Sequence, residues 1–177
     1  MTPEEESLLP EETMWAGRFI TAKRRGRWEY VGRARGIHAA VILAVDDGHV
    51  LLVNQYRVPL GKRCIELPAG LVGDEEVGEE AAAAAARELE EETGYRAGRI
   101  VDRGQFYSSP GMVSESFTLF TAHDLARTGE GGGVASEDII VHRIPLPDLP
   151  RQIADWRAQG YGMDVKLLLL LGAAMME

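Results

Sequence analysis

Glu88, Glu91 and Glu92 lie in the run Arg87-Glu88-Leu89-Glu90-Glu91-Glu92-Thr93-Gly94. If that run is helical, their i, i+3, i+4 spacing puts the three carboxylates on one face. Like charges repel there, and the C-terminal end of a helix dipole disfavours anions further. An acidic face is ordinarily a solvated one laced with lysines. That reading fits poorly here, because residues 79–93 contain no lysine and Arg87 is their only basic residue. A cation resolves the conflict. Hard oxygen donors on a rigid helix suit Mg²⁺, with Mn²⁺ as the alternative, and both ions bind phosphate oxygens in turn.

The elements that must hold these carboxylates can be read along the chain. Residues 79–93 have no Gly, Pro or β-branched residue before Thr93, and Gly94 stands where a C-terminal cap belongs. Residues 1–13 read as a loose acidic leader. Two strands, 17–22 and 27–35, surround the turn Arg24-Arg25-Gly26. An apolar run over 37–45 meets Asp46-Asp47-Gly48 and resumes at 50–55, the pattern of a hairpin. Further strands are expected at 64–67, 100–107, 116–123 and 139–144, with a Gly-rich surface loop over 127–136. Helices at 149–159 and 164–176 close the chain. Mixed strands around one central helix, with a helical C-terminus, predict an α+β or α/β/α sandwich.

Bulk properties narrow the function classes. The 177 residues, 45% hydrophobic and 27% charged, suffice for one well-packed domain. A net charge of −9 argues against nucleic-acid binding. It does not exclude a small phosphorylated substrate, since metal ions supply positive charge. Cys64 is the only cysteine, so no disulfide forms within the chain. It reads as buried filler and fits a cytoplasmic setting, with no signal peptide expected. The apolar run at 167–171 is too short to span a bilayer, so no membrane association is expected. His38, His49, His123 and His142 show no ligand spacing.

Gly73, Glu79, Arg87-Glu88-Leu89, Glu91-Glu92 and Gly94-Tyr95 together match the Nudix box, a pattern specific at many fixed positions. The chain therefore resembles the Nudix hydrolase superfamily. One departure stands out: the Pro68-Ala69-Gly70 turn that carries the box glycine in the ADP-sugar branch ends before Gly73, as though the loop held a small insertion. From about Gly17 onward the sequence is similar to the ADP-ribose pyrophosphatase branch, with Pro110 some fifteen residues beyond the box.

The resemblance implies a Nudix α/β/α sandwich with a mixed central sheet and an N-terminal antiparallel strand pair. It divides the chain into residues 1–35, lent to a partner in a homodimer, and a hydrolase domain over 36–177. It makes Glu88, Glu91 and Glu92 metal ligands, joined by the backbone carbonyl of Ala69. Arg87 would orient the glutamates and Glu79 fix the loop before the helix. Arg57 and Arg33 would contact phosphate, Glu66 would line the same pocket, and Phe19, Trp28 and Glu29 would handle the nucleobase. Glu115, in the motif Ser109-Pro110-Gly111-Met112-Val113-Ser114-Glu115, is the leading candidate for the general base, with Glu137 its rival. Catalysis then rests on Glu115, Glu92 and Glu88, and Gly111 would be a hinge of a mobile loop. The implied reaction is Mg²⁺-dependent hydrolysis of a nucleoside diphosphate sugar, ADP-ribose first. GDP-mannose, another sugar nucleotide, an oxidised nucleotide and a non-catalytic nucleotide sensor stay open as alternatives.

Overall fold

The computed structural model describes residues 1–34, 38–73, 80–134 and 137–172. Its acidic N-terminus is ordered by the basic stretch that follows it. Helix α1 (Pro3–Ser7) opens on a capping box in which Thr2 and Glu5 satisfy each other's backbone amides. Strands β1 (Glu12–Ala16), β2 (Ile20–Arg25) and β3 (Trp28–Arg33) form an antiparallel sheet in that order. The expected antiparallel strand pair is present as β2 and β3; α1 and β1 stand where a loose leader was expected. Glu11 pairs with Lys23 at 2.8 Å, Glu12 with Arg24 at 2.7 Å and Glu6 with Arg27 at 3.2 Å. The leader's charges find partners across the sheet, which local composition does not reveal.

Strands β4 (His38–Asp46) and β5 (His49–Arg57) form the expected hairpin. Asp47 and Gly48 supply the two positive φ angles, 47° and 68°, that a tight turn of this hand requires. Only Val45↔Val50 and Asp46↔His49 pair directly; beyond them the two strands part. Strand β6 (Lys62–Glu66) zips onto the far half of β5, and β7 (Ala69–Val72) onto the far half of β4. Between them the Pro68 carbonyl accepts the Ile42 amide at 2.8 Å. This divergence opens the crevice that holds the site.

Helix α2 (Ala81–Thr93) precedes the long antiparallel pair β8 (Tyr95–Tyr107) and β9 (Ser116–Arg127), and β9 runs parallel to β4. Strand β10 (Ile140–Pro145) pairs with β5; after α3 (Leu149–Ala158), β11 (Gly162–Met163) runs parallel to β6. A 3₁₀ turn (Val165–Leu167) leads into α4 (Leu168–Leu171). Alternation along β4 and β5 sorts the core into two layers. Ala40, Ile42, Ala44 and Leu51 pack against Ala85 and Leu89 of α2. Val41, Val50 and Leu52 pack against Leu149, Ile153 and Trp156 of α3 and against Leu167. Burial on both faces explains why β4 reads as an unbroken apolar run. The result is the expected α/β/α sandwich on an eight-stranded mixed sheet.

The strands at 69–72 and 162–163 were not expected, because each exists only through pairing with a distant strand. Glu79, the boundary at 35/36 and the far end of the last helix lie outside the described residues.

Candidate active site

The carboxylate helix is anchored at both the side and the end. Ala84, Ala85 and Leu89 are fully buried against the sheet. Gly94 closes the helix in the left-handed region, φ 74°, its amide bonded to the Glu90 carbonyl at 2.8 Å. The Gly-rich segment after β9 then wraps the same end. The amides of Gly132 and Gly133 donate to the carbonyls of Glu92 and Glu91 at 2.8 and 3.0 Å. These are carbonyls that a helix cannot satisfy by itself. A side chain at Gly131 would collide with the backbone of Thr93 and Gly94. What reads in sequence as a surface loop is therefore the cap of the carboxylate helix.

A cavity of about 480 Å³ lies beside α2, with Glu88 and Glu92 on its wall. Glu92 is 4% exposed and accepts the Ala69 amide at 3.0 Å. Burial pushes its carboxyl up to about 8; the Ala69 bond opposes the rise, and the charges of Glu88 and Glu137 add to it. Glu88 lies over Gly70, where any side chain would overlap its carboxylate. Arg87 bridges Glu88 at 3.1 Å and Glu91 at 3.2 Å. Glu91 differs from its neighbours: its side chain is 44% exposed and does not line the cavity.

The facing walls carry the cations. Arg57, at the end of β5, donates to both oxygens of the buried Glu66 at 2.6 and 2.8 Å, and this bond raises the guanidinium further. Arg33, at the end of β3, donates to Glu115 at 2.5 Å. The loop bearing Glu115 is tied down on the same strand: the Val31 amide donates to Met112 at 3.0 Å and the Ser114 amide to Val31 at 2.9 Å. Glu137 reaches the cavity from the capping segment. Its carboxylate accepts the Val134 amide at 2.9 Å and folds over Gly133, where a side chain would collide with it. Arg63 bonds Asp138 and so ties the next residue to β6.

Arg33, Arg57, Glu66, Ala69, Glu88, Glu92, Glu115 and Glu137 thus share one cavity. Trp28 and Glu29 instead line a second cavity of about 440 Å³, between α1, the β2–β3 hairpin and the loop at 110–114. Phe19 is 61% exposed in the turn before β2, under the Arg18 guanidinium. Cys64 is buried, and that burial pushes its thiol up to about 12, which disfavours the reactive thiolate. Gly70, Phe117, Asp164 and Lys166 belong to the cavity as well and escaped sequence reasoning. Pro68-Ala69-Gly70 was a signal for the first; no local pattern marks the others.

The donor set suits a hard divalent cation. Among the described residues no three His, Cys, Asp or Glu side chains converge as a complete metal cage. Mg²⁺ needs none: it takes one or two protein carboxylates and fills its shell with water and substrate phosphate. A desolvated carboxylate such as Glu92 gains most from a cation beside it. Among the described residues no helix is long and apolar enough to cross a membrane.

Comparison with known proteins gives a consistent picture. The family model for the NUDIX domain matches residues 34–161. An ADP-ribose pyrophosphatase of Bacillus subtilis (strain 168) is 42% identical over 110 residues, covering 62% of this chain and 58% of that protein. The match thus spans little more than half of that relative. A GDP-mannose pyrophosphatase of Cronobacter sakazakii is 37% identical over 147 residues, 77% of this chain and 72% of the relative. The crystal structure of an ADP compounds hydrolase superposes with a TM-score of 0.68 at 23% identity, covering 95% of this chain and 92% of that one, which shows a shared fold.

Proposed function

This chain belongs to the NUDIX domain family, and on that premise we propose that it hydrolyses the diphosphate linkage of a nucleoside diphosphate sugar. ADP-ribose is the leading substrate, cleaved to AMP and ribose 5-phosphate. The observation that carries this is the cavity itself, where Glu88 and Glu92 face Arg33 and Arg57. Glu88 and Glu92 would hold Mg²⁺ or Mn²⁺, with Glu91 and the Ala69 carbonyl completing the set as the family resemblance implies. Such an ion neutralises diphosphate charge and makes bound water more acidic. Arg57, steadied by Glu66, and Arg33 would grip phosphate oxygens.

The reaction adds water across the P–O–P linkage. The water oxygen bonds to one phosphorus, the bridging oxygen leaves with the other, and a carboxylate takes the water proton. Two carboxylates compete for that proton. Glu115 is engaged by the charged Arg33 guanidinium, whereas Glu137 lines the same cavity and accepts the neutral Val134 amide. This supports Glu137 as the base, with Glu115 holding Arg33 in readiness for phosphate. The nucleobase residues Trp28 and Glu29 stand apart from the carboxylates, and Trp15, Phe19 and Trp28 leave apolar surface exposed on the N-terminal sheet. Both features support a homodimer in which a second copy covers that sheet. The single unreactive cysteine supports a cytoplasmic setting.

GDP-mannose is the second reading, favoured by the similarity to pyrophosphatases named for it. A panel of nucleoside diphosphate sugars and nucleoside triphosphates, incubated with Mg²⁺ and resolved by mass spectrometry, separates the two. ADP-ribose should give AMP and ribose 5-phosphate with the highest kcat/KM. Preference for GDP-mannose would move the substrate to that reading, and preference for a triphosphate would overturn both.

A further inference from the structure

We propose that Lys166 is a further substrate-contacting residue of this cavity, binding a phosphoryl oxygen of the diphosphate. The inference rests on the diphosphate reading above and adds a cation from a segment that reading does not use. Lys166 follows β11, which runs parallel to β6 with Gly162 opposite Cys64 and Met163 opposite Ile65. The Asp164 amide donates to the Ile65 carbonyl at 3.0 Å, which sets residue 164 beside Glu66, the carboxylate that grips Arg57. Asp164 and Lys166 both line the cavity that holds Glu88 and Glu92.

The lysine is held before any ligand arrives. Asp164 caps the 3₁₀ turn by accepting the Lys166 amide at 2.8 Å, and its other oxygen accepts the Lys166 ammonium at 2.8 Å. The ammonium also stands 5.5 Å over the Phe117 ring, whose other neighbour is Phe106 at 5.9 Å. The side chain is 17% exposed. Lysine is flexible and strongly hydrated, so ordering it normally costs binding energy; here folding has already ordered it. An ammonium has three donors, and Asp164 takes one. The rest suit an anionic oxygen. In a chain of net charge −9, Arg33, Arg57 and Lys166 are the cations that line this cavity among the described residues.

The bland reading makes Asp164–Lys166 a structural cap. Calorimetry on the full chain separates the two, with AMP and ribose 5-phosphate as probes in the presence of Mg²⁺. Lys166→Met keeps the aliphatic stem over Phe117 and the Asp164 cap. It should weaken binding of at least one probe by about 10- to 100-fold, the effect of losing a charged hydrogen bond, and raise KM more than it lowers kcat. Its Tm should stay near that of the wild type. Asp164→Asn keeps an acceptor for the Lys166 amide but loosens the ammonium, and should weaken the same probes by less than Lys166→Met does. Unchanged affinities in Lys166→Met overturn the proposal, as does a loss of the same size in Asp164→Asn, and so does a wild type that binds neither probe. Binding needs no turnover, so a wild type that binds the probes but hydrolyses no diphosphate would sink the proposed reaction while leaving Lys166 testable.

Discussion

On the α2 side of the cavity, Glu92 is 4% exposed, bonded to the Ala69 amide, and set on a helix whose last carbonyls are capped by Gly132 and Gly133. On the facing side, Glu115 is 31% exposed and is held by Arg33 from the N-terminal sheet. The first region is fixed by backbone hydrogen bonds and burial, the second by an ion pair between segments far apart in sequence. A rigid, desolvated carboxylate suits a permanent cation site, while a half-exposed pair can exchange its partner for an incoming phosphate. The two walls should therefore fail differently when altered.

The largest expected effect lies on the rigid wall. Glu92→Gln should cut kcat by orders of magnitude and leave the fold intact, and EDTA should abolish wild-type activity until Mg²⁺ is restored. Full turnover in excess EDTA would erase the distinction between the walls. Next comes the proposed base. Glu137→Gln should lower kcat by ~10²–10⁴-fold with little change in KM, and Glu115→Gln should fall short of that while raising KM. Steady-state kinetics showing the reverse order would return the base to Glu115. Gly70→Ala should follow, because its methyl meets the Glu88 carboxylate. Displacing a proposed metal ligand in this way should cost ~10–100-fold in metal affinity, read by Mn²⁺ titration. Trp28→Ala should have the smallest effect. It should raise KM more than it lowers kcat, since base stacking stabilises ground and transition states alike.

Stability should follow pH with a definite sign. The Glu92 carboxyl rises from 4.5 to about 8 on folding, so the metal-free folded chain holds the extra proton between those values. Its contribution to stability is fully present below 4.5 and is lost as pH rises through about 8. The loss is on the order of 5 kcal/mol. Thermal unfolding without metal should show a Tm that declines over that range, and Glu92→Gln should flatten the decline.

Much of the rigid wall was legible in sequence because its causes are local. Helix formers, a terminal glycine and carboxylates at helical spacing predict α2 and its charged face. Spacing alone could not separate Glu91 from Glu88 and Glu92, since the difference lies in side-chain direction: Glu91 turns out toward Arg87 and solvent. The facing wall was less legible. Arg33 meets Glu115 only because Val31 clasps the loop at 112–114, and Lys166 enters only because β11 pairs with β6. The Gly-rich segment reads as surface because its partner, the end of α2, is distant in sequence. The N-terminal helix and first strand were missed for the same reason, their acidic residues being matched by bases on β2 and beyond it.

The buried Glu92 carboxylate gives the most direct test of the cation site. Isothermal titration of Mn²⁺ or Mg²⁺ into metal-free protein near pH 6.5, in two buffers of different ionisation enthalpy, counts the protons released on binding. With a carboxyl at about 8, metal binding should release about one proton, and Glu92→Gln should abolish both the release and most of the affinity. Metal binding with no proton release, or with undiminished affinity in Glu92→Gln, would place the cation somewhere other than this cavity.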